Sequence, residues 1–225
     1  MSAPRLVVFD VDGTLVDSQH LIYASMQAAF AAAGQPIPAR EAALAVVGLS
    51  LPQAMAALAP HLPEAETLRL AEHYRDDMLA RRRAGGDEAP LYPGARAALE
   101  RLAAEPATLL GIATGKARRG LDHIFAAYDI GRLFATAQTA DNHPSKPHPA
   151  MLLAALAETG CPPERAAIVG DTEFDIAMGR AAGLATVAVD WGYHPRRRLE
   201  AAGAGAIISS FDELDATLVR LGLPP

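Results

Sequence analysis

The sequence predicts an α/β protein: a doubly wound parallel sheet with an all-helical segment inserted after its first strand. Three observations predict it. Short apolar runs rich in β-branched residues recur along the chain, each bounded by turn residues. Between 107 and 209 these runs alternate with helical periodicity, as strand–helix–strand crossovers do. Residues 17–90, in contrast, hold no convincing strand.

The first strand is "RLVVFD", which ends at Asp10. The next four segments read as successive helices: "SQHLIYASMQAAFAAAG", "PAREAALAVVG", "SLPQAMAALAP" and "PEAETLRLAEHYRDDMLARRRAGG". Gly34, Pro36, Pro38, Gly48, Pro52, Pro60 and Pro63 punctuate them. Arg81, Arg82 and Arg83 are expected to form a solvated helix end, where cations suit the helix dipole. Gly85-Gly86 is the expected hinge, and "APLYPG" returns the chain to the sheet. The remaining strands are "ATLLGIATG" (107–115), a weaker "RLFATAQT" (132–139), "RAAIVGD" (165–171), "LATVAVD" (184–190) and "AGAIIS" (204–209). The helical stretches "PGARAALERLAAE", "KARRGLDHIFAAY", "PAMLLAALAETG", "EFDIAMGRAAG" and "FDELDATLVRLG" belong with them. The expected division is a Rossmann-like core over 1–16 and 91–225 and a helical domain over 17–90. Right-handed crossovers place every strand C-terminus at one edge, where ligands of such sheets bind.

Bulk composition narrows the function. The 225 residues suit one large domain or a domain with a smaller insert. A net charge of -6 does not suggest a nucleic-acid partner. A single cysteine, Cys161, cannot form an internal disulfide and fits a reducing compartment. No apolar run approaches the roughly 18 residues of a membrane span, and the N-terminal run is too short for a signal peptide. The expectation is a cytoplasmic protein without a membrane partner, a monomer or a homodimer. Of 20 basic residues only two are lysine, Lys116 and Lys146, and both fall beside the residues discussed next.

Asp10 and Asp12 stand two apart at a strand end. An EF-hand loop counted from Asp10 would need Gly and Glu at the positions that hold Leu15 and Leu21, so that reading fails. Helix capping suits Asp17 or Ser18 instead. The chemical reading remains: two adjacent carboxylates repel unless a cation joins them, and Mg²⁺ is held by one or two carboxylates plus water and phosphate. Asp171 and Asp175 in "IVGDTEFDIA" supply further oxygens from another strand end. Thr114 and Gly115 offer a hydroxyl and backbone N–H groups to an anion, with Lys116 beside them. Lys146, on a loop stiffened by Pro144, Pro147 and Pro149, holds a point charge suited to phosphate. The stretch "VGLSLPQAM" (47–55), with Ser50 and Gln53, is the candidate specificity segment; an ordinary helix–helix turn reads equally well there.

In that order "DVDGT", "IATG", "SKP" and "GDTEFD" resemble the four motifs of the haloacid dehalogenase-like hydrolase superfamily. "FDVDGTLVDS" together with "YPG" is most similar to its phosphoglycolate phosphatase-like members. The resemblance implies that residues 17–90 form a helical cap closing over the site. It implies Asp10 as nucleophile, Asp12 as general acid and base, Thr114 as a phosphoryl ligand and Lys146 as the neutralising cation. Mg²⁺ would be held by Asp10, Asp171 and the backbone carbonyl of Asp12, with Asp175 orienting Lys146 or a metal-bound water. The implied activity is hydrolysis of a small phosphorylated metabolite. Asp12 favours an alkoxide leaving group, which needs a proton, over a halide, which does not. Phosphoglycolate phosphatases commonly carry Thr-Asn-Lys where this chain has Thr114-Gly115-Lys116, so glycolate specificity does not carry over directly. Alternatives on the same core are a mutase of the β-phosphoglucomutase type, a pyrophosphatase and a non-catalytic binding protein.

Overall fold

The structure is a computed structural model that describes residues 4–85 and 89–225. Six parallel strands form one sheet: β1 (Arg5–Phe9), β2 (Thr108–Thr114), β3 (Phe134–Thr139), β4 (Ala166–Gly170), β5 (Ala185–Val189) and β6 (Ala206–Ile208). Their order is β3-β2-β1-β4-β5-β6. The chain therefore winds outward from β1 in both directions, and β1 is the switch point. All six strands lie where the apolar runs placed them.

Helices α1 (Gln19–Ala32), α2 (Arg40–Leu44), α3 (Leu51–Leu58) and α4 (Glu64–Ala84) follow β1. Helices α5 (Ala95–Ala103), α6 (Arg118–Tyr128), α7 (Ala150–Thr159), α8 (Glu173–Ala182), α9 (Arg196–Ala201) and α10 (Leu214–Arg220) flank the sheet. The unbroken apolar run of β1 reflects burial on both faces. Val7 and Phe9 point into a layer with Leu99, Leu102, Leu121 and Leu218. Leu6 and Val8 point the other way, onto Met151, Leu152, Ala155 and Met178. Each such side chain contributes about 1.5–3 kcal/mol by leaving water, which anchors the strand that ends at Asp10.

The helical block has its own apolar centre, built from Ile22, Met26, Phe30, Met55, Leu70 and Met78. It connects to the sheet through two adjacent segments. Asp17 N–H donates to the Pro90 carbonyl at 2.8 Å, and Tyr92 N–H donates to the Leu15 carbonyl at 2.9 Å.

Two sequence expectations need adjustment. The helix expected over 38–48 is a single short helix, α2, and the chain turns at Gly48, whose φ of +101° only glycine adopts freely. Helix α9 went unread because its sequence, "RRRLEA", buries only Leu199 and so carries no apolar period. Of the Gly85-Gly86 hinge, Gly86 lies outside the described residues.

Candidate active site

Three strand ends meet at the switch point. Asp10 follows β1, Thr114 closes β2 and Asp171 follows β4. Asp10 N–H donates to the Val169 carbonyl at 2.9 Å, which sets the first and third of these side by side. Lys146 reaches in from the loop after β3. Its ammonium donates to Asp10 Oδ1 at 2.7 Å and to Asp175 Oδ1 at 2.6 Å. Asp10 and Lys146 are 1% exposed, Asp171 and Asp175 0%, so this is a buried cluster of three carboxylates and one ammonium.

Local sequence explains the placement of each group. Thr172 and Asp175 cap α8 reciprocally: Asp175 Oδ2 accepts from Thr172 N–H at 3.0 Å and from Thr172 Oγ1 at 2.6 Å. That fixes Asp175 with its other oxygen toward Lys146. Asp171 Oδ1 accepts from Thr14 Oγ1 at 2.9 Å, and Oδ2 accepts from Tyr193 N–H at 2.8 Å. Gly13, at φ +88°, passes so close to Asp171 that a Cβ there would lie 2.2 Å from its Oδ2. The glycine of "DGT" is thus a steric requirement of the carboxylate from β4.

One oxygen of this cluster has no partner among the described residues: Asp10 Oδ2 is buried and accepts no hydrogen bond. A buried carboxylate oxygen left this way is costly. Burial, opposed by Lys146 and reinforced by Asp175, pushes the Asp10 carboxyl up to about 7. Burial also raises Asp171 well above the carboxylate range, with Asp10 and Asp175 adding to the effect. Asp10, Asp171 and Asp175 each offer an oxygen, and these oxygens lie within 4.8 Å of one another. An orphaned oxygen and an all-carboxylate donor set fit a hard divalent cation such as Mg²⁺. Asp175 already takes the Lys146 ammonium and two hydrogen bonds from Thr172, whereas each Asp171 oxygen accepts one neutral hydrogen bond, so Asp10 and Asp171 are the side chains better fitted to hold it.

Asp12 stands apart from this cluster and faces the cavity. Its Oδ2 pairs with Lys116 Nζ at 2.9 Å, and its Oδ1 accepts from Ser18 Oγ at 2.6 Å. Ser18 precedes α1, yet it makes no side-chain cap; its hydroxyl serves Asp12 and lies 2.8 Å from the Tyr193 hydroxyl. Neither Ser18 nor Tyr193 was identified as a site residue from sequence. Thr114 is buried, and its Oγ1 accepts from Lys116 N–H at 3.2 Å. Both lysines therefore neutralise aspartates of the first motif, Lys146 holding Asp10 and Lys116 holding Asp12.

The helical block covers the strand ends. A cavity of about 460 Å³ lies between, bounded below by Asp10, Asp12 and Thr114 and above by residues of α1, the 46–54 segment and α4. Contacts from the 45–50 segment help tie the block down. Ser50 N–H donates to Ser145 Oγ at 2.7 Å, and His194 Nε2 lies 3.1 Å from the Ala45 carbonyl. Gly115 explains its departure from an Asn: a Cβ there would sit 2.6 Å from the Leu49 carbonyl oxygen and 2.7 Å from that of Gly48. Ser50 lines the cavity as the specificity reading expected; Gln53 is exposed and does not. Arg82 corrects the reading of residues 81–83 as a solvated end, because it lines the cavity.

Comparison with known proteins gives a consistent result. Residues 7–189 match the family model described as haloacid dehalogenase-like hydrolase. The Dickeya dadantii protein named "Probable phosphatase IndB" is 33% identical over 218 residues, covering 93% of this chain and 91% of its own. A phosphoglycolate phosphatase of Pseudomonas savastanoi pv. phaseolicola is 31% identical, covering 94% of this chain and 78% of its own. Among solved structures, a haloacid dehalogenase-like family hydrolase from Streptococcus pneumoniae superposes with a TM-score of 0.83 at 26% identity, over 97% of this chain and 100% of that one. With the four motifs gathered at one sheet edge and the match spanning most of the chain, this protein belongs to the haloacid dehalogenase-like hydrolase family.

Proposed function

We propose that the protein is a Mg²⁺-dependent phosphatase that hydrolyses a small phosphomonoester through a phosphoaspartate on Asp10. The observation that carries this reading is the unpartnered Asp10 Oδ2, buried beside Asp171 and opposite the oxygen held by Lys146. The relatives named as phosphatases support the reaction class.

Asp10, Asp171 and the Asp12 backbone carbonyl would hold Mg²⁺. Bound there, it supplies positive charge to the phosphoryl oxygens and lets Asp10 stay ionised at neutral pH. Asp10 attacks phosphorus, the ester P–O bond breaks, and Asp12, which must enter this step as the neutral acid with its Lys116 pair opened, gives its proton to the departing alkoxide. Water then attacks the phosphoaspartate, Asp12 takes the water's proton, and the bond from Asp10 to phosphorus breaks. Phosphate leaves, with Asp10 again a carboxylate and Asp12 again the neutral acid. Lys146 balances the charge gathered around Asp10, while Thr114 donates to a phosphoryl oxygen. These roles are positioning and charge neutralisation, which is what phosphoryl transfer chiefly requires. The helical block acts as a cap that limits water at the site.

The test is steady-state phosphate release from a panel of esters, including 2-phosphoglycolate, sugar phosphates and pyrophosphate, with Mg²⁺ and with EDTA. Release that needs both Mg²⁺ and Asp10 supports the reading. Undiminished turnover in Asp10→Asn, or isomerised sugar phosphate in place of phosphate, refutes it.

A further inference from the structure

The phosphoryl site accounts for the floor of the cavity and leaves its roof unexplained. Helix α4 places Tyr74, Met78 and Arg82 four residues apart, on one face, and all three line the cavity. Met26 and Ile22 of α1 continue the apolar part of that wall. Arg82 is an odd choice at its end. Its Nε is buried and has no hydrogen-bond partner among the described residues. A guanidinium offers five donors, and leaving a buried one unmet is costly. Burial pulls the Arg82 pKa down, while Tyr74 and Asp12 oppose that. Exposed Arg75 and Arg119 line the same cavity against one exposed acid, Asp141, so the exposed charges of its lining are two basic to one acidic in a chain whose net charge is -6.

Arg82 also sits on a particular side of the site. A second small recess joins it to Asp12, Ser18 and Lys116. Its Nη2 would come within 3.5 Å of a Cβ placed on Gly120, one turn beyond Lys116. This is the side of the proposed general acid, hence of the leaving group. The transferred phosphoryl group already has Lys146 and Thr114.

We propose that Arg82 is a specificity residue that binds a second oxyanion, carried on the leaving group of the substrate. This rests on the phosphatase reading above. The substrate class is then a phosphomonoester whose alcohol bears a carboxylate or a second phosphate, with an apolar segment that lies against Met26 and Met78. Arg82 makes a charge-assisted, forked contact to that group.

Matched esters test this. Ethyl phosphate is compared with 2-phosphoglycolate, and phenyl phosphate with its 4-carboxy and 4-phosphonooxy analogues, in the wild type, Arg82→Gln and Arg82→Lys. The wild type is expected to favour the anionic member of a pair in kcat/KM. Arg82→Gln should lose about 10-fold to 100-fold more kcat/KM on the anionic member than on the neutral one, chiefly through KM. Arg82→Lys should recover part of the loss by restoring the charge without the fork. The two analogues separate a carboxylate from a second phosphate. Equal losses on both members, or none on either, overturn the inference and leave the phosphatase reading standing. No Mg²⁺-dependent release from any ester by the wild type overturns the phosphatase reading, and this inference with it. Unchanged melting of Arg82→Gln separates lost recognition from lost folding.

Discussion

Replacing Lys146 by Met is the sharpest perturbation of the buried cluster. The ammonium is fully buried between Asp10 at 2.7 Å and Asp175 at 2.6 Å. Methionine keeps an unbranched side chain one atom shorter and removes the charge. Breaking one buried pair typically costs about 3–5 kcal/mol, because the partner is left charged and unpaired. Here two carboxylates lose their cation and Asp171 stays beside them. The loss should therefore be about 3–5 kcal/mol in metal-free protein at pH 8.5, or roughly 6–20 °C in Tm for a domain of this size. The pH dependence carries the sign. Asp10 titrates at about 7 in the folded protein, far above its ordinary 3.8, so the folded state binds more protons than the unfolded one between those values. Stability of the metal-free wild type consequently falls as pH rises through that window. Without Lys146 the Asp10 carboxyl moves higher still, and the fall continues above pH 7. The gap between variant and wild type should widen by about 1 kcal/mol or more from pH 5 to pH 8.5, since one bound proton is worth about 1.4 kcal/mol per pH unit. Urea unfolding in EDTA at the two pH values measures it. Adding Asp10→Asn to the variant should recover part of the stability at pH 8.5. A gap that is the same at both pH values, or below about 1 kcal/mol, would refute the charge argument.

Further outcomes follow from the same geometry. Asp12→Asn should lower kcat by about 10²–10⁴-fold on alkyl phosphates, as loss of a general acid does, and by less on 4-nitrophenyl phosphate, whose leaving group needs no proton; equal losses would remove Asp12 from proton transfer. Gly115→Asn, which restores the common Thr-Asn-Lys motif, should displace the 48–49 backbone, whose carbonyls would lie under 3 Å from the new Cβ. Its solution scattering should show a more open molecule and its kcat should fall, whereas an unmoved helical block would contradict the steric account. His194 Nδ1 accepts from Glu173 N–H at 3.1 Å while its other nitrogen faces the Ala45 carbonyl. Burial and Arg198 depress its pKa, opposed by Glu173 and Asp175, so the folded state resists protonation. The stability difference between wild type and His194→Phe should be full above the ordinary histidine pKa and shrink as pH falls below it; a difference independent of pH would rule that out.

The core was legible because its signals are local. Six apolar strands and turn-bounded helices are written in consecutive residues, and β1 buries Leu6 and Val8 on one face and Val7 and Phe9 on the other. Asp10, Asp171, Asp175 and Lys146 were found for a related reason: two follow strands, one lies in the first turn of the next helix and one on a proline-stiffened loop, all at an edge whose position the topology dictates. What stayed hidden depends on contacts remote in sequence. Ser18 looked like a helix cap and instead holds Asp12, with Tyr193, 175 residues away, completing the contact. Arg5 opens the first strand with nothing local to mark it as buried, yet it is 1% exposed and donates to Thr108 Oγ1, Glu105 and the Leu223 carbonyl. Arg82 sits in a run of three arginines, and nothing local tells which one faces inward. Only the packing of α4 over the strand ends distinguishes it.

The central claim is covalent chemistry at Asp10, and acyl-phosphate trapping tests it most directly. The protein is mixed with Mg²⁺ and a hydrolysed ester, quenched within one turnover, reduced with borohydride and mapped by peptide mass spectrometry. The account predicts homoserine at position 10, formed by reduction of the phosphoaspartate, and none in Asp10→Asn or in EDTA. Homoserine at another aspartate, or Mg²⁺-dependent phosphate release with Asp10 unmodified throughout, would contradict it.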